Sequence, residues 1–514
     1  MRNLRGSRVL FAAVVVVLLG GLYALGGLKH SISLTAGVAP RAPHSVPVTS
    51  VVRACPEPGT QFSQGSGIAV MAAPAGAGSG AASAGHGVAM VTRLAGLGSS
   101  TPGPALLRIT QPGIPRLATV SVDHSARAQA TPGGKPSTTT VVSTAVRGGV
   151  VVQASGSLAQ GLDVEQTTGT NVPTAACSSP GTDFWFVGPG QRTAGRIQVY
   201  LMNPSNQAAD AGVDIFTDAG PLQETADNGI TVPPHGMIVQ SLAPVLRNSR
   251  SLTLQVRTSV GQVAAAVQES TGAGEGAWLP PAQAPATHLV IPGLPAAAGS
   301  RELYLAVPGV KDANVQVSAV TSRGTYEPTG ASGIDVPGGS ATEISLPSLA
   351  GIPAAIKLTS SAPVTASVMI PGGNNGSPGF FTAAAPALEE QGVIADNVTG
   401  PGRVSALVLS APRATARVSV AQISSAGSAR RTQTVQVSSG KSVVVTLQPV
   451  PGAPRGMPFA VVISPLPGSG PVYAGRVISP GGAGGTLQAM LPVASSLTTV
   501  PLPPVHNADL AAVP

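Results

Sequence analysis

The hydrophobic pattern divides the chain into one long apolar run and many short alternating ones. Residues 9–28, VLFAAVVVVLLGGLYALGGL, carry no charge. At a helical rise of about 1.5 Å per residue they span roughly 30 Å, the thickness of a hydrocarbon core. No later stretch is as long and as apolar, so one membrane crossing is expected. Beyond it, Val, Ala, Thr and Leu alternate with polar residues in short stretches punctuated by Pro, Gly and Asn. Period-two alternation between turn residues predicts strands, not helices.

The flanks orient the apolar run. Arg2, Arg5 and Arg8 precede it and only Lys29 follows closely. The positive-inside rule then keeps the N-terminus in the cytoplasm and exports residues 30–514. A cleaved signal peptide is the competing reading, but its apolar region normally has about 7–15 residues. The best small-x-small match, Gly37-Val38-Ala39, lies well past the run and precedes Pro40. Both readings export the body. The expected location is the cell membrane, single-pass, with secretion after cleavage as the alternative.

Internal similarity organises the body. Residues 229–242, GITVPPHGMIVQSL, align with 333–346, GIDVPGGSATEISL, and 196–201, RIQVYL, with 301–305, RELYL. Residues 263–267, VAAAV, align with 364–368, VTASV. A weaker copy runs through 404–409, 443–447 and 472–477. The first copy shows at its ends: CPEPGTQF at 55–62 resembles CSSPGTDF at 177–184, and 152–167 resembles the strands around 256–270. In the second copy the pattern places strands near 184–188, 196–202, 211–217, 229–232, 236–242, 252–258 and 262–268. Seven short strands in about 100 residues suit an immunoglobulin-like sandwich, whereas propeller blades are normally shorter, about 40–50 residues. The expected fold is mainly β: an N-terminal transmembrane helix followed by tandem immunoglobulin-like β-sandwich repeats, with a β-propeller as the alternative. The corresponding boundaries are 1–30 for the cytoplasmic tip and helix and 31–50 for a linker. Modules follow at 51–175, 176–287, 288–395 and 396–497, and a Pro-rich tail at 498–514.

Two cysteines, Cys55 and Cys177, open equivalent repeat positions. An even count in an exported chain favours a disulfide over two free buried thiols. Such a bond ties the first repeat to the start of the second.

Charge changes along the chain. Residues 171–287 have five basic and eight acidic residues, and 288–396 have four and eight. From 397 to 507 there is no acid, while Arg403, Arg413, Arg417, Arg430, Arg431, Lys441, Arg455 and Arg476 all lie there. This basic fourth module is a candidate contact for a polyanion such as an anionic wall polymer or an acidic protein face. The competing reading is a solvated face that balances the acidic middle. Nucleic acid is not expected outside the cell, and the aromatic platforms of single-strand binders are missing.

Catalytic patterns are scarce. There is no Cys-x-x-Cys, His-Glu-x-x-His or Gly-x-Ser-x-Gly, so no metal, cofactor or enzymatic activity is expected. Ser439-Gly440-Lys441-Ser442 resembles the end of a phosphate loop, but Val435 stands where the first glycine belongs, so it reads as a hairpin turn. Alternation puts Asp163 and Glu165 on one strand face, as a glycosidase pair requires; a face turned to solvent is the stronger expectation. Trp185 and Trp278 are candidate sugar-stacking aromatics, with packing between repeats the stronger reading. Asn375 and Asn397 fit a weak glycosylation pattern.

The run from Cys177 through 180–188, PGTDFWFVG, with 200–204, YLMNP, and 230–234, ITVPP, resembles a domain-of-unknown-function family (domain of unknown function 5719). The resemblance implies an actinobacterial, membrane-anchored exported protein and brings no catalytic residues. The functional expectation is a non-enzymatic, extracytoplasmic cell-envelope scaffold. Binding of carbohydrate or anionic wall polymer is the alternative, and an unrecognised enzyme the third reading.

Overall fold

The computed structural model describes residues 44–502 apart from 57–65, 74–85, 95–104, 113–115, 123–148, 169–173, 223–227, 247, 271–275, 297–298, 348, 350, 373–378, 398, 401–402, 425–429, 452–458 and 480–488. Residues 1–43, including the apolar run 9–28, lie outside the described residues. Among the described residues all regular elements are strands, and no helix is long and apolar enough to cross a membrane. Pro47–Val500 form one compact unit. Residues 44–46 and 501–502 fall outside that unit.

Strand β1 (His44–Pro47) pairs with the last strand, β35 (Thr499–Leu502). A first group holds β2 (Ser50–Cys55), β3 (Ser66–Ala72), β4 (His86–Arg93), β5 (Ala105–Pro112), β6 (Arg116–Val122), β7 (Val150–Gly156), β8 (Asp163–Thr168) and β9 (Thr174–Ala176). It builds sheets β2-β7-β4-β5 and β6-β3-β8-β9. The second group holds β10 (Asp183–Pro189), β11 (Arg196–Met202), β12 (Ala209–Thr217), β13 (Gly220–Leu222), β14 (Asn228–Val232), β15 (Met237–Ser241), β16 (Ser251–Val260), β17 (Ala264–Ser270) and β18 (Gly276–Leu279). Its sheets are β10-β16-β12-β13, with β14 also on β12, and β15-β11-β17-β18.

The third group holds β19 (Ala286–Leu294), β20 (Arg301–Val307), β21 (Ala313–Thr321), β22 (Gly324–Tyr326), β23 (Ile334–Val336), β24 (Ser340–Leu346), β25 (Ala354–Ile370) and β26 (Phe380–Ala383). Strand β25 runs through both halves of one eight-stranded sheet. Its first part pairs with β19 and β21, its last part with β20 and β26. The fourth group holds β27 (Gly392–Asn397), β28 (Val404–Ala411), β29 (Ala416–Ser424), β30 (Arg430–Val437), β31 (Lys441–Thr446), β32 (Phe459–Pro465), β33 (Tyr473–Ser479) and β34 (Ala489–Pro492). Its sheets are β27-β32-β29-β30 and β31-β28-β33-β34. All seven strands expected in the second repeat are present. The short β13 and β18 are additions that alternation over three or four residues does not reveal.

In each group two sheet faces enclose one apolar cluster. Strand β12 shows the cause: Ala209, Ala211, Val213 and Ile215 point inward and are buried, while Asp210 and Asp214 point away. Full burial of one such Val or Ile side chain stabilises by about 1.5–3 kcal/mol.

The groups also pack on one another, and the packing closes on itself. The sheet of β2 and β7 meets that of β11 and β17 through Val151, Met202 and Trp278. The sheet of β10 and β16 meets that of β20 and the end of β25 through Phe186, Tyr304 and Met369. Val290 and Ala355 of the third group meet Tyr473 of the fourth. Ala69 and Met71 of the first group meet Val393, Ile423 and Val462 of the fourth. The third group's halves face each other across their own core, as do the fourth group's two sheets. Eight sheet layers, counting the two halves of the third group's sheet, thus form a closed circuit. The short strands β9, β18, β26 and β34 adjoin one another in turn at its centre. Ala175, Phe186, Trp278 and Leu491 leave there a cavity of about 10 Å³, room for a single water.

Candidate functional site

The densest charged cluster among the described residues sits where the first and fourth groups meet. In β8, Leu162 (just before the strand) and Val164 enter the first core. Alternation therefore turns Asp163 and Glu165 to the opposite face, which the fourth group covers. This corrects the expectation of a solvent-facing pair: Glu165 is only 5% exposed and Asp163 is half-buried.

Strand β27 supplies the complementary groups. Its pairing with β32 is irregular between Ile394 and Asn397, and a break in a ladder releases amides that need other acceptors. The Ala395 N–H donates to Asp163 Oδ2 at 2.9 Å, and the Asp396 N–H to Glu165 Oε2 at 2.9 Å. Two carboxylates on alternate positions thus stand in for main-chain carbonyls. Asn397 holds the irregularity by donating from Nδ2 to the carbonyls of Ile394 and Phe459, each at 3.3 Å.

Arg476 enters from β33. Its Nη1 donates to Glu165 Oε2 at 2.8 Å and also to the Asp396 carbonyl. Thr167 Oγ1 donates to Asp396 Oδ2 at 2.6 Å, and Arg53 Nη2 from β2 reaches the Leu162 carbonyl at 3.3 Å. Burial pushes the Glu165 carboxyl up to about 8 against the pull of Arg476, with Asp163 and Asp396 adding repulsion. Burial also raises Asp163, to about 6, opposed by Arg53. Desolvation lowers Arg53.

Arg476 is therefore corrected as a polyanion contact: it is 1% exposed and ion-paired, because an unpaired guanidinium at that depth would be costly. Arg403 is half-buried, and Arg455 lies outside the described residues. Arg413, Arg417, Arg430, Arg431 and Lys441 are exposed, the first two on and before β29, the others on the outer strands β30 and β31.

Both tryptophans are packed, which removes the sugar-stacking alternative and leaves the packing reading. Trp185 is 5% exposed, stacks on Phe216 at 6.2 Å, and donates from Nε1 to Asp183. Trp278 is 4% exposed and meets Tyr200 edge-on at 5.2 Å. Neither face is open to a sugar. Cys55 and Cys177 are joined, with an S–S distance of 2.02 Å. Both belong to the first core, so the bond clamps that group's two sheets at β2 and just beyond β9. The Ser439–Ser442 stretch is a turn. Its amides are taken up by Thr415, Ala411 and Ser438, and Ser442 Oγ donates to the Val320 carbonyl. Asn397 is fully buried and so closed to glycosylation; Asn375 lies outside the described residues. No group of three or more metal-ligating side chains occurs among the described residues.

A family model matches residues 128–448, well over half of the chain. The chain belongs to a family of unknown function, DUF5719. No curated protein matches the sequence. The DUF5719 match contains Asp163, Glu165 and Asp396 but neither Arg53 nor Arg476, so both cations of the cluster fall outside it. Sequence reasoning paired Asp163 with Glu165 and missed Arg53 and Asp396. The usable signals were an arginine inside the apolar strand SVVRAC and an aspartate inside GVIADN.

Proposed function

We propose that this DUF5719 member is a non-enzymatic, extracytoplasmic scaffold of an actinobacterial cell envelope, held in the membrane by residues 9–28. Each group of sheets is read as an immunoglobulin-like sandwich variant, and the four close into a propeller-like body. The observation that carries the reading is a basic outer edge on a closed body. Arg413, Arg417, Arg430, Arg431 and Lys441 are exposed, and no acid occurs from 397 to 507. Such a surface attracts an acidic protein face or anionic polymer by long-range field as well as contact.

Crosslinking in intact cells tests the scaffold. A reproducible acidic protein partner lost in an Arg430→Glu/Arg431→Glu/Lys441→Glu variant supports it, and recovery of no reproducible partner overturns it. The same cations favour a second reading, binding of an anionic wall polymer. Cosedimentation of the exported body with purified polymer should then weaken steeply with salt; absence of binding at low salt removes it. Membrane fractionation tests the tether, and a released protein starting near Pro40 would overturn it.

A further inference from the structure

The contact between the first and fourth groups differs from the other three in connectivity. Chain crosses from first to second group over 177–182, from second to third over 280–285, and from third to fourth over 384–391. No such connection joins the fourth group to the first, so non-covalent contacts alone close the circuit. An apolar layer supplies part of that closure. Gln391, whose Nε2 donates to the Ala73 carbonyl at 2.6 Å, supplies another part. Main-chain contacts add to it: β1 pairs with β35, the Val48 N–H donates to the Thr498 carbonyl at 2.9 Å, and the Gly161 N–H donates to the Leu497 carbonyl at 3.0 Å. The buried charged cluster completes the closure.

We propose that this cluster is a proton-operated latch: closing the circuit takes up a proton, and rising pH loosens the first group from the fourth. Three carboxylates face it, Asp163 and Glu165 from β8 and Asp396 from β27. Two guanidiniums face it, Arg53 from β2 and Arg476 from β33. Fully ionised, the set carries one excess negative charge at a junction where Glu165 and Arg476 are buried and Asp163, Asp396 and Arg53 half-buried. One added proton balances it, and burial favours the balanced form. The apolar layer has nothing to titrate, so the pH response belongs to the carboxylates.

The sign follows from linkage. Glu165 and Asp163 are raised in the closed form, to about 8 and about 6. The closed form therefore binds more protons than the open one above the ordinary carboxylate range. Its stability is fully present below that range and is lost as pH rises through about 6 and then about 8. Glu269 behaves similarly elsewhere. Burial raises it to about 7, and it accepts the Gly379 amide of the third group. A local readout must therefore separate the two.

The amides of Ala395 and Asp396, which bond to the two carboxylates, provide that readout. Hydrogen exchange of the full chain is followed from pH 5 to 9 and corrected for base catalysis. Protection of these amides should fall at least about tenfold, the equivalent of one pKa unit. Glu165→Gln should flatten the profile, while Glu269→Gln should leave it unchanged. Flat protection in the native protein, or an unaltered slope in Glu165→Gln, overturns the latch. Should Glu165→Gln fail to fold, carboxyl carbon-13 titration of Glu165 in the native chain decides. A midpoint above 7 supports the latch, and one in the ordinary carboxylate range overturns it.

Discussion

Two contacts of the first sheet group solve one problem with different chemistry. Against the second group it uses large apolar side chains: Leu94 and Val151 meet Met202, Met237 and Trp278, beside a Tyr200–Gln268 hydrogen bond of 3.0 Å within the second group itself. Against the fourth it uses aliphatic residues without an aromatic, Ala69, Met71 and Ala73 on Val393, Ala395, Ala421 and Ile423, beside a buried ion pair. The first pairing is brought together by six residues of chain, so loop-closure entropy is small and undirected packing suffices. The closing pairing joins groups whose charged partners are separated by 311 residues. There the directional bonds of carboxylates to two successive amides add to the Gln391 and main-chain bonds in fixing the register, which apolar contact alone leaves loose. A buried ion pair is weak evidence of net stability, because desolvation offsets much of the attraction.

The largest expected effect breaks the apolar side of the comparison. Trp278→Ala removes a buried aromatic from the contact with the second group and should cost about 4 kcal/mol in urea unfolding. A cost under about 1 kcal/mol would show that this contact carries little of the fold. On the ionic side, Arg476→Met should cost about 3 kcal/mol by leaving the carboxylates without their buried partner. That loss should grow from pH 5 to pH 9, because Glu165 is protonated at the lower pH and needs the guanidinium less. An equal loss at both pH values would remove the ionic character from the contrast.

Gly475→Ala probes a third contact. A Cβ there meets the backbone of Gly293, whose φ of +86° suits glycine. Backbone cannot yield as a side chain does, so about 2 kcal/mol should be lost. Hydrogen exchange should show the loosening between the third and fourth groups, not at Ala395. The smallest change is Tyr200→Phe, which leaves Gln268 Oε1 without this donor and should cost about 1 kcal/mol by thermal unfolding. No measurable change would show that the second group's sheet does not depend on this bond beneath the contact.

Local structure was legible from pattern because it depends on neighbours in the chain. Strands near 196–202 and 229–232 match β11 and β14, since a period of two and the flanking Pro and Gly are local properties. Strand β25 was harder. The second repeat breaks at Gly261, with φ +71°, between β16 and β17, whereas the third runs on through Ser360, Ser361 and Pro363. The phase of Asp163 and Glu165 was also readable; the partner covering their face was not.

By itself the sequence determined the β character of the body, the repeat, the cysteine pair as a disulfide candidate and the uneven charge. Each of these depends on composition or on periodicity within one strand or repeat. Only the tertiary structure decided that the fourth group returns to the first. That return turned Arg476 from a surface cation into the partner of Glu165. The physical reason is that burial belongs to a face and whatever covers it. Here the cover for one strand is folded from residues more than two hundred positions away.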